Sequence, residues 1–512
     1  MERVSSGSAA SGSLSHGENG AHSLSHSISW LHSIPWTMVI VAAGLGLRSI
    51  HYGRNPAMWH DEAALVINVL YKDFSELLGP LYFAEAGPPL FMWVERAIVW
   101  VLGDGIYSLR LLPFVASCVA LLLMVPISRR LLSPTAVPWC LLLVACSDRL
   151  LAHSCEAKPY AVDVCVAAAL AGIFCFTQPW PLARQLLLYA LLAPPVIFLV
   201  YPGLFLCTGL LLALLLPVWR ERKPHVWSAF GLFAIAVAVS STLLVLGPAT
   251  AQRDQHMDVY WTAFFPDWQR PWSVPLWVLR NTVRIFDYCF EPIGSGLAVV
   301  AIVGAINFWR RKQHTLVIAL TGPIFLNLVA ACLQKYPYGG SRVMIYALPA
   351  AALLVAEGVT PTWNWLRAQH RLVAGVGTVA LLILLLQPLS RSLYHAVRPW
   401  PRAASDKAAA FVLARLQPGD GVIGNYWVDL YYFRRLGAAF RPVGSAFRAE
   451  IRPYLPPAPR DTPRRLWIVM TGDSAPERAW IPGALPPGQW RVLERQSFRS
   501  VDVTLVSRQK ES

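Results

Sequence analysis

The chain has 512 residues, 55% of them hydrophobic and only 14% charged, with 44 Lys+Arg against 29 Asp+Glu for a net charge of +15. A soluble domain devotes about a quarter of its residues to charge and a disordered chain is poor in large aliphatic side chains, so neither class describes this protein. In so apolar a chain the positive excess points to loops held on one side of a bilayer and not to nucleic acid.

Residues 1–29 are rich in Ser, Gly and His and are predicted to form a disordered cytoplasmic tail. His16, His22 and His26 match no metal-ligand spacing. The apolar run beginning near Trp36 has no small-residue cleavage site after it, which argues against a secretory signal. Stretches long enough to cross about 30 Å of hydrocarbon then recur. They are predicted at 33–50, 107–127, 134–148, 160–178, 185–200, 203–218, 227–247, 293–309, 314–333, 343–359 and 372–390. The expected fold class is therefore an α-helical polytopic membrane protein of roughly eleven spans, with its membrane module over 30–391.

Short loops set the orientation. Arg129-Arg130, Arg184, Arg220 to Lys223, Arg310 to Lys312, and Arg367 with Arg371 all fall on one side if the N-terminus is cytoplasmic. The short loops opposite hold few bases: Arg149, Lys158, Lys335 and Arg342. These read either as snorkelling or locally paired side chains, with Asp148 and Glu156 as nearby acids, or as contacts to an anionic ligand on the outer face.

Residues 88–103 are apolar, yet Glu95-Arg96 sits at their midpoint, where a charge in hydrocarbon costs about 2.5–3.5 kcal/mol. An interfacial helix that keeps this pair wet is expected instead. With a second such helix from Asp61 to Leu78, the outer loop 51–106 becomes a structured segment. A second long outer loop, 248–292, gathers Tyr260, Trp261, Phe264, Phe265, Trp268 and Trp272, as an interfacial belt or as the lining of a groove for lipid or sugar.

Beyond Leu389 hydropathy falls, and residues 392–512 read as a small α/β domain outside the cytoplasm. A helix is predicted at 404–416, with strands at 422–424, 466–470 and 501–506. This domain carries 18 Lys+Arg against 10 Asp+Glu, so an excess of 8 belongs to it. The nine cysteines form no CxxC pair and read as small buried hydrophobes, with Cys155 and Cys289 the one pair placed to bridge.

The sharpest local feature is Trp59-His60-Asp61-Glu62-Ala63-Ala64, where two carboxylates follow soon after the first span. They read as helix capping, Asp61 at the N-cap with Glu62 near the positive end of the dipole, or as a chemical pair at the lipid surface. Two other outer loops add Asp148, Arg149, His153, Glu156, Lys158 and Tyr160, then Lys335, Tyr338, the Gly339-Gly340 turn and Arg342.

This ordered set resembles the membrane-embedded GT-C glycosyltransferases of the family 39 type, which include the protein O-mannosyltransferases and the lipid A aminoarabinose transferases. The pieces that carry the resemblance are His60-Asp61-Glu62-Ala63-Ala64, Gly87-Pro88-Pro89-Leu90, Leu109 to Pro113, Ser154 to Tyr160, and Tyr336 to Arg342, in order across about 30–390. The resemblance implies a polyprenyl-phosphate sugar donor and transfer to an acceptor hydroxyl on protein, lipid A or envelope glycan. Asp61 is then the general base, with inversion at the sugar and Glu62 orienting the acceptor or capping the helix. Cations at Lys158, Arg342, Arg149 and Lys335 would hold the leaving phosphate, Arg342 ahead of Lys335 because a guanidinium binds it bidentately. His60, Glu156, Tyr160 and Tyr338 are candidate substrate contacts. Two positions depart from the family pattern: Gly87 where relatives carry a base or His, and Lys158 in place of arginine. No metal or cofactor is expected to be required. The rival readings are a transporter or flippase of lipid-linked saccharides and a polysaccharide polymerase or ligase.

Overall fold

The computed structural model describes residues 18–442, 463–472 and 490–509. The first helix, α1 (Glu18–Arg54), starts well before the first predicted span. The tail expected to be disordered is therefore helical from Glu18, because a helix nucleated by an apolar span propagates at the cost of one residue per hydrogen bond. Residues 1–17 and their His16 lie outside the described residues.

The membrane module continues as α2 (His60–Tyr71), α3 (Pro89–Leu102), α4 (Ile106–Leu109), α5 (Leu111–Leu131), α6 (Val137–Ala145), α7 (Asp148–His153), α8 (Tyr160–Thr177), α9 (Leu182–Leu199), α10 (Gly203–Glu221) and α11 (Pro224–Leu244). It is completed by α12 (Gln255–Trp261), α13 (Val274–Cys289), α14 (Ser295–Arg310), α15 (His314–Cys332), α16 (Leu348–Arg367) and α17 (Arg371–Val397). Among the described residues, eight helical stretches are long and apolar enough to cross a membrane, and α14 is a shorter apolar helix.

The span predicted at 134–148 is corrected. Only the nine residues of α6 are helical there, a rise of about 14 Å against 30 Å of hydrocarbon. Its C-terminal carbonyls end on the buried Arg48 of α1, whose Nη1 donates to Ala145 O at 3.1 Å and Nη2 to Val144 O at 3.1 Å. The segment from α6 through α7 nevertheless returns the chain to the face it left. Arg110 before α5 and Ala157 after α7 both reach Glu62.

The helices alternate so that Arg129-Arg130, Arg184, the 220–223 turn, the 310–312 turn and Arg367 with Arg371 all lie at the end of the bundle opposite Asp61. That is the charge division read from the loops. Close approach of α14 and α16 rests on Gly304 and Gly358: a Cβ on either would stand 1.9 Å from a carbonyl oxygen of the other helix. α3 is a short helix as expected, but Glu95 is not wet. It is 1% exposed, with no hydrogen-bond donor to either oxygen among the described residues, while Arg96 donates to the carbonyls of Val69 and Leu70. The second interfacial helix ends at Tyr71 instead of Leu78, followed by a 3₁₀ turn at Glu76–Leu78.

α17 runs to Val397, so the predicted boundary at 391/392 falls inside a helix. Beyond it come α18 (Ser405–Arg415), β1 (Gly421–Gly424), α19 (Trp427–Phe433), β2 (Phe440–Pro442), β3 (Arg465–Thr471), β4 (Trp490–Phe498) and β5 (Val501–Arg508). The strands form a mixed sheet in the order β2-β1-β3-β5-β4, parallel on the β1 side of β3 and antiparallel on the β5 side. This region does not stand apart from the membrane module. Ala64 and Ile67 of α2, with Tyr82 and Phe83, share one apolar core with Val412, Leu430, Phe433 and Trp467. All nine cysteines are free, Cys155 and Cys289 included.

Candidate active site

α2 begins where it does because Glu62, in its first turn, accepts from the Trp59 amide at 3.1 Å. Successive helical residues point about 100° apart, so Asp61 and Glu62 face different surroundings. Asp61 is 23% exposed and opens into a cavity of about 520 Å³. Glu62 is 0% exposed and points into the protein.

Glu62 is saturated there. Arg110 donates from Nε to Oε1 at 2.6 Å and from Nη2 to Oε2 at 2.7 Å, Ala157 N donates to Oε1 at 2.9 Å, and Arg402 Nη1 donates to Oε2 at 3.3 Å. Burial alone would raise its carboxyl, but the two guanidiniums outweigh that and hold it below the usual range. Arg402 also donates from Nη2 to Glu156 Oε1 at 3.2 Å. Glu156 in turn pairs with His153 Nδ1 at 2.9 Å, whose Nε2 meets the Tyr288 hydroxyl at 2.8 Å. Burial would raise Glu156 as well, yet His153 and Arg402 bring it down to about 2. Neither Glu62 nor Glu156 lines the cavity, so the expected direct substrate roles are corrected to a buried charge network behind Asp61.

Asp61 lies between two unlike halves of the cavity. On one side Oδ1 is 3.1 Å from His60 Nε2, and on the other Oδ2 accepts from Arg342 Nη1. Burial would raise the Asp61 carboxyl, but His60, Arg342 and Lys158 together hold it well below the usual carboxylate range. Arg342 is surrounded by the rings of Tyr160, Tyr260 and Trp261, each about 5.8–5.9 Å from its guanidinium carbon. Its Nε has no acceptor among the described residues. Lys158 is 3% exposed and donates to Glu85 Oε2 at 2.6 Å.

Of the ten predicted site residues, His60, Asp61, Lys158, Tyr160, Lys335 and Arg342 share this cavity. Arg149 lies in a separate cleft, paired with Glu291 at 2.5 Å. Tyr338 is buried, its hydroxyl engaged with Thr282 Oγ1 at 2.8 Å. Both are corrected as contacts to this cavity: Arg149 lies on α7 with its guanidinium over the Tyr288 ring of α13, and Tyr338 packs against Trp277 of the same helix. Gly87 supplies no cation, and a Cβ there would collide with Met92. Among the second outer loop's aromatics, Tyr260, Trp261 and Phe265 line the cavity, whereas Trp268 and Trp272 are exposed elsewhere.

Sequence reasoning missed Glu85, Asp163, Tyr201 and Trp427 in the cavity wall. Glu85 sits two residues before the Gly87-Pro88-Pro89-Leu90 motif, Tyr201 lies in the gap between two predicted spans, and Asp163, one turn beyond Tyr160, was readable as an acid inside a span. Nothing local to Trp427 marked it.

No family model and no curated protein sequence matches the chain. Among solved structures it is similar to ArnT from Cupriavidus metallidurans bound to undecaprenyl phosphate, at 13% identity over 92% of this chain and 98% of that one, with a TM-score of 0.55. The apo state of the same protein gives 13% identity, coverage of 93% and 98%, and a TM-score of 0.53. A looser likeness, with a TM-score of 0.48 and 12% identity over 80% of this chain and 62% of that one, is to an oligosaccharyltransferase of Archaeoglobus fulgidus. End-to-end superposition at so low an identity speaks to architecture, and with the helix order and the appended sheet already described it shows that this chain has the GT-C fold, a multi-pass membrane architecture.

Proposed function

We propose that the protein is a glycosyltransferase that moves a sugar from a polyprenyl-phosphate donor to an acceptor hydroxyl, with Asp61 as the general base. The observation that carries this reading is the carboxylate of Asp61 set between His60 and Arg342 in a cavity that also holds Lys158 and Lys335. A phosphate needs cations and an acceptor hydroxyl needs a base, and both meet in this cavity.

In the proposed step the acceptor oxygen attacks the anomeric carbon as its proton passes to Asp61. The bond from that carbon to the phosphate oxygen breaks, and the electron pair leaves with the phosphate. Attack from the face opposite the leaving group inverts the centre and requires no covalent intermediate. Arg342 and Lys158 stabilise the charge that develops on the phosphate. Both are neutralised by Asp61 and Glu85 when no ligand is bound. A donor phosphate competes for these cations and draws Arg342 from Asp61, which raises the affinity of the carboxylate for a proton as the acceptor arrives. The base is thereby strengthened by the donor itself.

In this reading the cavity and the sheet region lie on the extracytoplasmic side of the plasma (inner) membrane, and the basic turns and N-terminus are cytoplasmic. The similarity to a protein solved with undecaprenyl phosphate supports a lipid-phosphate donor.

The test is transfer from defined polyprenyl-phosphate sugars by the full chain in membranes, read by mass spectrometry of lipids and envelope glycans. Asp61→Asn should lower transfer by about 10²–10⁴-fold, the usual share of a general base, while undecaprenyl phosphate still binds. Undiminished transfer in that variant removes Asp61 from the chemistry.

A further inference from the structure

The cavity half on the His60 side of Asp61 differs from the cationic half. Trp59, His60, Phe83 and Trp427 line it. Trp59 and His60 are 4.1 Å apart by ring centroid, Phe83 and Trp427 are 5.3 Å apart, and Trp427 stacks on Tyr426 at 4.4 Å. The charges behind this wall are already committed, Arg402 to Glu62 and Glu156 and Arg110 to Glu62.

Trp427 reaches the wall from the sheet region, 367 residues beyond His60 in the chain. Its placement is built. α19 starts at this residue because the Tyr426 amide donates to Asp429 Oδ2 at 3.1 Å, and Asp429 Oδ1 accepts from the Thr471 hydroxyl at 3.1 Å. The indole N–H donates to the His60 carbonyl oxygen, so the one polar atom of the ring is satisfied and the part of the ring that lines the cavity is left for apolar contact. Nothing in the base or phosphate chemistry uses this ring.

We infer that Trp427, with Trp59, His60 and Phe83, forms an acceptor subsite for a neutral saccharide, one contributed partly by the C-terminal region. A pyranose offers an apolar C–H face to an aromatic ring and hydroxyls at its rim, which matches an aromatic wall that ends on a carboxylate and an imidazole. A sugar stacked there presents a hydroxyl to Asp61 from the side opposite Arg342. The subsite rests on the glycosyltransferase reading and narrows its acceptor to a glycan or a glycan-bearing lipid.

The experiment uses the full chain in lipid nanodiscs and two kinds of probe. Maltotriose, chitotriose and mannotriose, which carry no lipid tail, report on the aromatic half by saturation-transfer NMR. Undecaprenyl phosphate, measured separately, reports on the cationic half. At least one trisaccharide should bind the wild type, and Trp427→Ala should weaken it by about three- to tenfold, the size of one aromatic stacking contact. Trp427→Phe should retain most of that affinity, and undecaprenyl phosphate should bind all three proteins alike. Absence of all three trisaccharides from the wild type, or equal binding by Trp427→Ala, overturns the subsite. Loss of both probes from both variants assigns Trp427 to folding and overturns it too. If undecaprenyl phosphate fails to bind the wild type, the donor reading falls, and the saccharide results still decide the subsite by themselves.

Discussion

Asp61 and Glu62 are adjacent acids with opposite fates, and the difference is one of helical phase. Asp61 faces the cavity, while Glu62 is enclosed by Arg110, Arg402 and the Ala157 amide. Removing one partner of a buried pair costs about 3–5 kcal/mol because the other charge is stranded. Glu62→Gln should therefore lower the unfolding midpoint in detergent markedly, whereas Asp61→Asn, at a partly exposed pair, should leave it nearly unchanged. A second residue carries a pH signature. Burial pushes the Asp429 carboxyl up to about 7, against hydrogen bonds from Tyr426 and Thr471 that would lower it. Between an unfolded value near 3.9 and that folded value the native state binds the extra proton. Its contribution to stability is thus fully present below about pH 4 and is lost as pH rises toward and through 7, by up to about 1.4 kcal/mol per unit. Hydrogen exchange over β1 and β3 between pH 5 and 8 should show that slope, and Asp429→Asn should remove most of it.

At the scale of elements, helical length was legible where apolar runs were long and uninterrupted, as for α8, α10 and α15. It was not legible for α6, whose end is fixed by Arg48 from a different helix. Hydropathy counts residues and is blind to a guanidinium arriving from elsewhere in the chain. The same limit explains Glu95: a charge inside an apolar run does signal a non-spanning helix, but not whether water or protein covers it. Helix pairing was equally hidden, since a glycine in a span reads as one more small residue until its neighbour is known. Gly304 and Gly358 let α14 and α16 touch backbone to backbone. Gly358→Val should overpack this contact by about 1–3 kcal/mol or more, lowering the yield of folded protein and its unfolding midpoint. Gly231→Val, where a Cβ meets nothing within 4 Å, is the matched control.

At the scale of the molecule, the division of charge between the two ends of the bundle was readable, because short loops leave a basic residue little choice of side. The cationic half of the cavity was readable for the same reason: Lys158 and Arg342 stand out in loops otherwise poor in bases. The aromatic half was not, because Trp427 belongs to a region that composition sets apart as a separate domain. In the structure that region is fastened to the membrane module by a shared core, by Arg434 and Arg435 on Asp104 at 2.7 and 2.9 Å, and by Arg402. Synthesis adds a further meaning to Arg402. The ribosome completes α1 through α17 before it reaches this residue, so until then Arg110 is the one guanidinium that pairs with Glu62. The second guanidinium arrives when the C-terminal region docks. The charge network behind Asp61 is therefore completed only after the membrane module has been made, and one side chain, Arg402, couples the docking of the C-terminal region to the first turn of α2 and to the loop after α7.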